Sequence, residues 1–398
     1  MRTLAIFGEA PTFETPLHVG RPNMAQSARF LSAFEKILES KWLTNGGPWV
    51  QAFEATLETY LGVKHCIAVA NGTLGLEIVA SALLPDHGDV IVPSFTFAAT
   101  PHALAWQRYR PVFADIKLET HVLDPIDVEA RITEDTVGIL GVHTWGTPCE
   151  IEALTAIAVR HKLPLFFDAA HAFGCRYRNR SVGNFGRCEV FSFHATKFFN
   201  TAEGGAVTTN DDRTAQELRE LRNFGFVGDG SHRTADVGIN AKMSELHAAV
   251  GVTNFTEING FIRQNYENYV CYRSRLRHPD IRVYPLMMDG NFQYVVIELL
   301  GGELSADELV KVLQAENVLA RRYFSPPCHE MLPYNQEGHY LPVTELVSGR
   351  VVVLPTGMAV GEEAVDKICQ LILYCMQHAS QIAERLGGLK NAEVLLSR

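Results

Sequence analysis

Between residues 27 and 210 the chain alternates short, unbroken apolar runs with longer stretches in which apolar residues recur at helical spacing. The runs cover 66–70, 89–92, 111–114, 137–142, 164–167, 189–193 and 205–209, and the stretches between them include 49–61, 73–84, 97–106 and 151–161. Runs without polar alternation suit strands buried on both faces, and helices between them suit crossover connections. The pattern therefore predicts an α/β domain with a mostly parallel sheet between helices. Beyond about residue 240 the texture changes. Residues 242–276 read as one long helix or two in series, with apolar positions at Met243, Leu246, Val250, Phe255, Ile258 and Ile262. Strand-like runs follow at 281–284 and 293–300, then a helix near 307–315, a strand at 318–321 and a final amphipathic helix near 364–386. The simplest division is a large α/β domain over residues 1–254, with an N-terminal arm, and a smaller α+β domain over 255–398.

Composition narrows the function. With 47% apolar and 20% charged residues in 398, the chain is an ordinary globular protein rather than a disordered or stapled one. Lys+Arg 35 against Asp+Glu 45 leaves a net charge of −10, the wrong sign for binding nucleic acid by neutralising phosphates. A small anionic ligand stays open, because local groups hold it. The eight cysteines show no CxxC spacing, so neither a metal site nor a redox dithiol is expected. They read as reduced, mostly buried thiols of a cytoplasmic protein. The N-terminus lacks a signal-like apolar run, and no run approaches the roughly 20 residues of a membrane span.

Four features fall where buried strands end, which is where open α/β sheets bind ligands. Asn71-Gly72-Thr73 leads from a strand into a helix, and reads either as an anion site on exposed N–H groups or as an ordinary cap by Thr73. Asp168 closes an apolar run and is followed by Ala169-Ala170-His171. A carboxylate there needs a cation or donors, or it caps the next turn; His171 reads either as a satisfied histidine or as a functional one. Ser192-Phe193-His194-Ala195-Thr196-Lys197 carries hydroxyls and one lysine out of another buried strand. That lysine is either desolvated and reactive or snorkels to the surface. The aromatic turn Pro93-Ser94-Phe95-Thr96-Phe97 is either core or cavity wall.

Taken together, an anion cradle, a carboxylate and a lysine on neighbouring strand ends match what pyridoxal 5′-phosphate requires: a phosphate site, a partner for the ring nitrogen and an amine for its aldehyde. The same motifs, with Glu203-Gly204-Gly205 and the segments from Trp42 to Pro48 and from Leu354 to Gly357, occur in one order along almost the whole chain. In this they resemble the DegT/DnrJ/StrS nucleotide-sugar aminotransferases, enzymes of pyridoxal-phosphate fold type I. By that resemblance Lys197 is the Schiff-base lysine and Asp168 the partner of the pyridine nitrogen. Gly72, Thr73 and Ser192 hold the phosphate, Phe97 lies against the ring, and His171 packs near its opposite face. The segment Gly238 to Glu245 is similar to the one by which one subunit reaches the other's cofactor. Asn240 is then expected to contact the phosphate across a homodimer interface. Many members have Tyr-Arg where this chain has Ala241-Lys242, a departure at that contact.

The resemblance also implies an activity. A branch of the family with His at the lysine position dehydrates sugars, and Lys197 puts this chain on the aminotransferase side. Regulators of the same fold carry a DNA-binding domain ahead of it, for which the segment before residue 27 is too short. Residues 20–23, 42–48, 240–245 and 321–329 look most like those of 4-aminotransferases that take L-glutamate and dTDP-4-keto-6-deoxy-D-glucose to dTDP-4-amino-4,6-dideoxy-D-glucose. Residues 321–329 read equally as a basic, aromatic strand without substrate contact. Amination of a 3-keto sugar or of a UDP- or GDP-linked 4-keto sugar is the alternative, followed by a non-catalytic regulatory protein that binds the cofactor.

Overall fold

The computed structural model describes residues 4–228, 231, 233–335, 338 and 340–396. All seven apolar runs of the first part become strands of one sheet: β1 (His65–Val69), β2 (Asp89–Pro93), β3 (Arg110–Ala114), β4 (Thr136–Val142), β5 (Leu165–Asp168), β6 (Glu189–Ser192) and β7 (Gly205–Thr209). Their spatial order is β1-β7-β6-β5-β4-β2-β3. Only β7 runs antiparallel to its neighbours, and every other pairing is parallel. The reason is the connection. Between β6 and β7 the chain has a loop and no crossover helix, and a strand that returns without one runs antiparallel.

Burial on both faces explains the unbroken apolar runs. Val90 and Val92 of β2 join a core with Leu76 and Val79 of helix α1 (Gly72–Leu83) and Leu104 of α2 (Ala99–Trp106). Ile91 between them points to the other face, into a core with Leu154 and Ile157 of α3 (Ile151–His161). The sheet is thus sandwiched by helices, the α/β architecture of fold type I. At Gly75 a Cβ would lie 2.8 Å from Val190 Cγ1, so the missing side chain lets α1 close onto β6.

The second part follows expectation except at the strand near 318–321 and the final helix. Residues 242–276 form two helices, α4 (Glu245–Phe255, capped by Ser244) and α5 (Ile258–Arg275). The runs at 281–284 and 293–300 become β8 (Ile281–Val283) and β9 (Val295–Leu299), which with β10 (Val351–Leu354) form an antiparallel sheet. The strand expected at 318–321 shrinks to Val318–Leu319, and its partner is Leu17–His18 near the start of the chain. The final helix divides at His378 into Glu362–Gln377 and Ala379–Leu396. The core under this sheet includes Val295, Ile297, Leu309, Val352 and Ile372, and it also takes Leu4 and Leu17. Glu316, buried in this region, accepts from the backbone N–H groups of Ala5 at 2.8 Å and Thr12 at 2.7 Å. The segment from Ala5 to His18 is therefore stitched to elements some three hundred positions away.

All eight cysteines are free and buried. Among the described residues no group of His, Cys, Asp and Glu is arranged to hold a metal, and no helix is long and apolar enough to cross a membrane.

Phe53 shows how the packing under β6 is held. It is fully buried, edge-on to Phe193 at 5.6 Å and stacked with Phe199 at 6.4 Å. Truncation leaves a cavity among rigid rings. Phe53→Ala is expected to remove about 3–5 kcal/mol of unfolding free energy, read as a lower urea midpoint.

Candidate active site

Six parallel strands bring their carboxyl ends to one edge, and a cavity of about 570 Å³ opens there. Gly72, Thr73, Phe97, Asp168, His171, Ser192 and Lys197 all line it. Asn240 does not. It is exposed, and its backbone pairs with Asn223 outside this cavity.

The floor is the start of α1. Asn71, not Thr73, is the cap: its side chain accepts from Leu74 N–H at 2.9 Å. Thr73 sits inside the first turn and on the cavity wall. A Cβ at Gly205 would lie 2.8 Å from Gly72 N, and one at Gly72 would lie 3.2 Å from Ser192 Cβ. Bare glycines thus let β6, β7 and the turn close up while the N–H groups of Gly72 and Thr73 stay available to an anion, aided by the helix dipole.

Asp168 ends β5 with 7% of its surface exposed. Thr100 Oγ1 donates to its Oδ2 at 2.8 Å, and the Ala170 N–H donates to its Oδ1 at 3.0 Å. It therefore does both things expected of it, capping a turn and facing the cavity. Thr96, one helical turn before Thr100, shares a 2.8 Å hydroxyl hydrogen bond with it. The Thr100 hydroxyl, itself braced by Thr96, and the Ala170 amide so hold the carboxylate in one orientation.

Lys197 does not snorkel to the surface. Its Nζ donates to Tyr294 Oη at 3.4 Å, 5.9 Å from the centre of that ring. Burial brings its pKa from the usual 10.5 down to about 8, against the opposing pull of Asp168 and Tyr323. His171 is buried, and both burial and the Lys197 charge keep it well below the ordinary histidine range, hence neutral. Its Nδ1 accepts from the Trp145 backbone N–H at 3.3 Å. Its ring stacks on Trp145 and on Phe324, each at 6.0 Å, and meets Tyr294 edge-on at 4.6 Å. The aromatic turn after β2 splits: Phe95 is fully buried core, whereas Phe97 is 62% exposed at the cavity mouth.

Tyr294 on the wall and Thr100, buried behind Asp168, are the site residues that sequence reasoning missed. A tyrosine at the head of a strand looks like any core aromatic; the spacing from Thr96 to Thr100 was the available signal for the other. The segment 321–329, left open between two roles, supplies Arg321, Tyr323 and Phe324 to the wall. Arg321 donates to Tyr323 Oη at 2.8 Å.

The residues present fit pyridoxal phosphate: glycine-lined amides for the phosphate, a held carboxylate for the ring nitrogen, and an amine of lowered pKa for the aldehyde.

The model of the DegT/DnrJ/EryC1/StrS aminotransferase family matches residues 25–373. A dTDP-4-amino-4,6-dideoxy-D-glucose transaminase from Escherichia coli is 35% identical over 366 residues, covering 89% of this chain and 97% of that one. A GDP-perosamine synthase from Caulobacter vibrioides is 31% identical, covering 83% and 91%. The crystal structure of DesI in the presence of its TDP-sugar product superposes with a TM-score of 0.92 at 43% identity, covering 96% of this chain and 98% of that one. With its cavity built as described and matched over nearly its whole length, the chain belongs to the DegT/DnrJ/EryC1/StrS family and is a pyridoxal phosphate-dependent sugar aminotransferase.

Proposed function

We propose that the protein transfers the amino group of L-glutamate to C4 of dTDP-4-keto-6-deoxy-D-glucose, giving 2-oxoglutarate and dTDP-4-amino-4,6-dideoxy-D-glucose. What carries this reading is the convergence of Lys197, Asp168 and the start of α1 on one cavity, in a chain similar to a transaminase of that name and to DesI with its TDP-sugar product. The similarity to GDP-perosamine synthase favours a GDP-linked sugar as the second reading. A dTDP-3-amino-3,6-dideoxy-alpha-D-galactopyranose transaminase from Aneurinibacillus thermoaerophilus, 30% identical, keeps C3 amination as the competitor in position.

Bound cofactor supplies an aldehyde for the migrating amine and a conjugated ring that takes up electrons from the neighbouring carbon. The chain's own residues do the rest. Lys197 Nζ would hold the cofactor at rest and, once free, would carry the proton away from the donor's α-carbon and, in the second half-reaction, deliver one to the sugar carbon. An amine with a pKa near 8 suits both directions at neutral pH. Asp168, held by Thr100 and the Ala170 amide, would pair with the pyridine nitrogen. Gly72, Thr73 and Ser192 would hold the phosphate, with Phe97 and neutral His171 beside the ring. Residues 1–254 build the floor, and Tyr294, Arg321 and Tyr323 of residues 255–398 close it. Asn240 completes a second copy's site across a homodimer, which accounts for its place outside its own cavity.

The defining test supplies glutamate with each nucleotide-linked keto sugar and locates the new amine by NMR. Amination of the dTDP sugar at C4 is expected. Amination at C3, or preference for a UDP- or GDP-sugar, overturns the substrate assignment; no spectral change with glutamate overturns catalysis and leaves a cofactor-binding protein.

Lys197→Ala is expected to lose the bound cofactor's visible absorbance and at least about a thousandfold in turnover, with an unchanged melting temperature. In the wild-type apoprotein the neutral amine grows as pH rises, so cofactor capture should accelerate from pH 6 to about 8 and then level off. Continued acceleration toward the usual 10.5 contradicts the lowered value.

If the site is shared, mixing inactive Lys197→Ala chains with inactive Asn240→Ala chains restores part of the activity through hybrid dimers. Full activity of Asn240→Ala alone excludes that role.

A further inference from the structure

We propose that the N-terminal arm forms the diphosphate side of the substrate site, with Arg21 and Arg321 as its cations; this rests on the reading that the acceptor is a nucleotide-linked sugar. A second cavity of about 400 Å³ lies between residues 15–22 of the arm and the pair Thr196 and Arg321. That pair also lines the cofactor cavity, so the two openings share a wall. The smaller one carries His18, Arg21 and Arg321 and no carboxylate, in a chain whose net charge is −10. Among the described residues neither arginine is paired with an acid. Three cationic or titratable groups left uncompensated in an acidic protein make a local field for an anion.

The arm is held so that these groups are in place before a ligand arrives. Leu17–His18 pair with Val318–Leu319 on one side of the cavity. On the other, buried Asn23 donates to the Phe198 carbonyl at 3.0 Å, accepts from Met358 N–H at 3.0 Å, and its own carbonyl accepts from Asn200 Nδ2 at 2.9 Å. Between these anchors Gly20 has φ 73°, and a Cβ there would lie 2.6 Å from the Thr196 carbonyl oxygen. The arm thus lies directly on the loop that leads into Lys197. Arg321 is oriented by its hydrogen bond to Tyr323 and by that ring, 5.8 Å from the guanidinium, with further N–H groups to spare. Little ordering remains to be done on binding, and guanidinium forks match phosphate oxygens.

Position selects the ligand. Thr196 is the residue before the reacting lysine, so an anion seated against Thr196 and Arg321 is attached within one sugar's reach of the chemistry. A sugar diphosphate has that layout. The competing source is a carboxylate of the amino donor, which shares the chemistry and is separated by the test.

Calorimetry on the holoenzyme measures dTDP affinity, and stopped-flow absorbance measures the half-reaction with glutamate. Arg21→Met is expected to weaken dTDP about 10- to 100-fold, with partial recovery in Arg21→Lys and an unaltered glutamate half-reaction. Wild-type affinity for dTDP in Arg21→Met overturns the proposal, as does a slowed glutamate half-reaction with dTDP binding intact. A wild-type enzyme that binds none of dTDP, UDP and GDP fails at the level of the substrate reading itself.

Discussion

Because six of the seven strands of the large sheet run in one direction, their carboxyl ends share an edge, and polar residues placed just after a buried strand are delivered to the same opening. Asp168, Ser192, Lys197 and the turn before α1 are far apart in sequence and neighbours in space for that reason alone. The reversed strand β7 does not disturb the arrangement. Running back from the Lys197 loop, it brings Gly205 beneath the turn at Gly72, where no side chain fits.

Desolvation turns this geometry into chemistry. In open water a lysine at neutral pH is a protonated bystander and a carboxylate is indifferent to its neighbours. At the cavity wall burial lowers Lys197 toward neutrality, while the Thr100 hydroxyl and the Ala170 amide hold the Asp168 carboxylate in place. His171 follows the same rule: packed between aromatic rings and near a lysine, it stays neutral and takes a hydrogen bond at Nδ1.

Local signals were the legible ones. Seven apolar runs marked seven strands because burial on both faces writes itself into consecutive residues. The chemistry at their ends was legible because the turns carry it: Asn71-Gly72-Thr73, Asp168 and Lys197 lie within a few residues of a strand. What stayed hidden was non-local. A two-residue strand such as Val318–Leu319 has no periodicity, and nothing near it names Leu17–His18 as its partner. Tyr294 reads as core until the second sheet is docked over the cavity, and the direction of β7 depended on what the connecting loop lacked. The choice of Asn71 over Thr73 as cap turned on a shift of two residues in where the helix begins.

The stitching of the arm to the far end of the chain also fixes an order of events. Thr12 and the Glu316 carboxylate that receives its amide are 304 residues apart, so during synthesis the outer end of the arm lacks this partner until four fifths of the protein has been made. At about 5–20 residues per second that is a wait of roughly 15–60 s, in which the large sheet has every strand it needs and the opening above it has no finished rim. The cofactor's side of the cavity can take shape on a nascent chain, whereas the side bounded by the arm belongs only to the completed one.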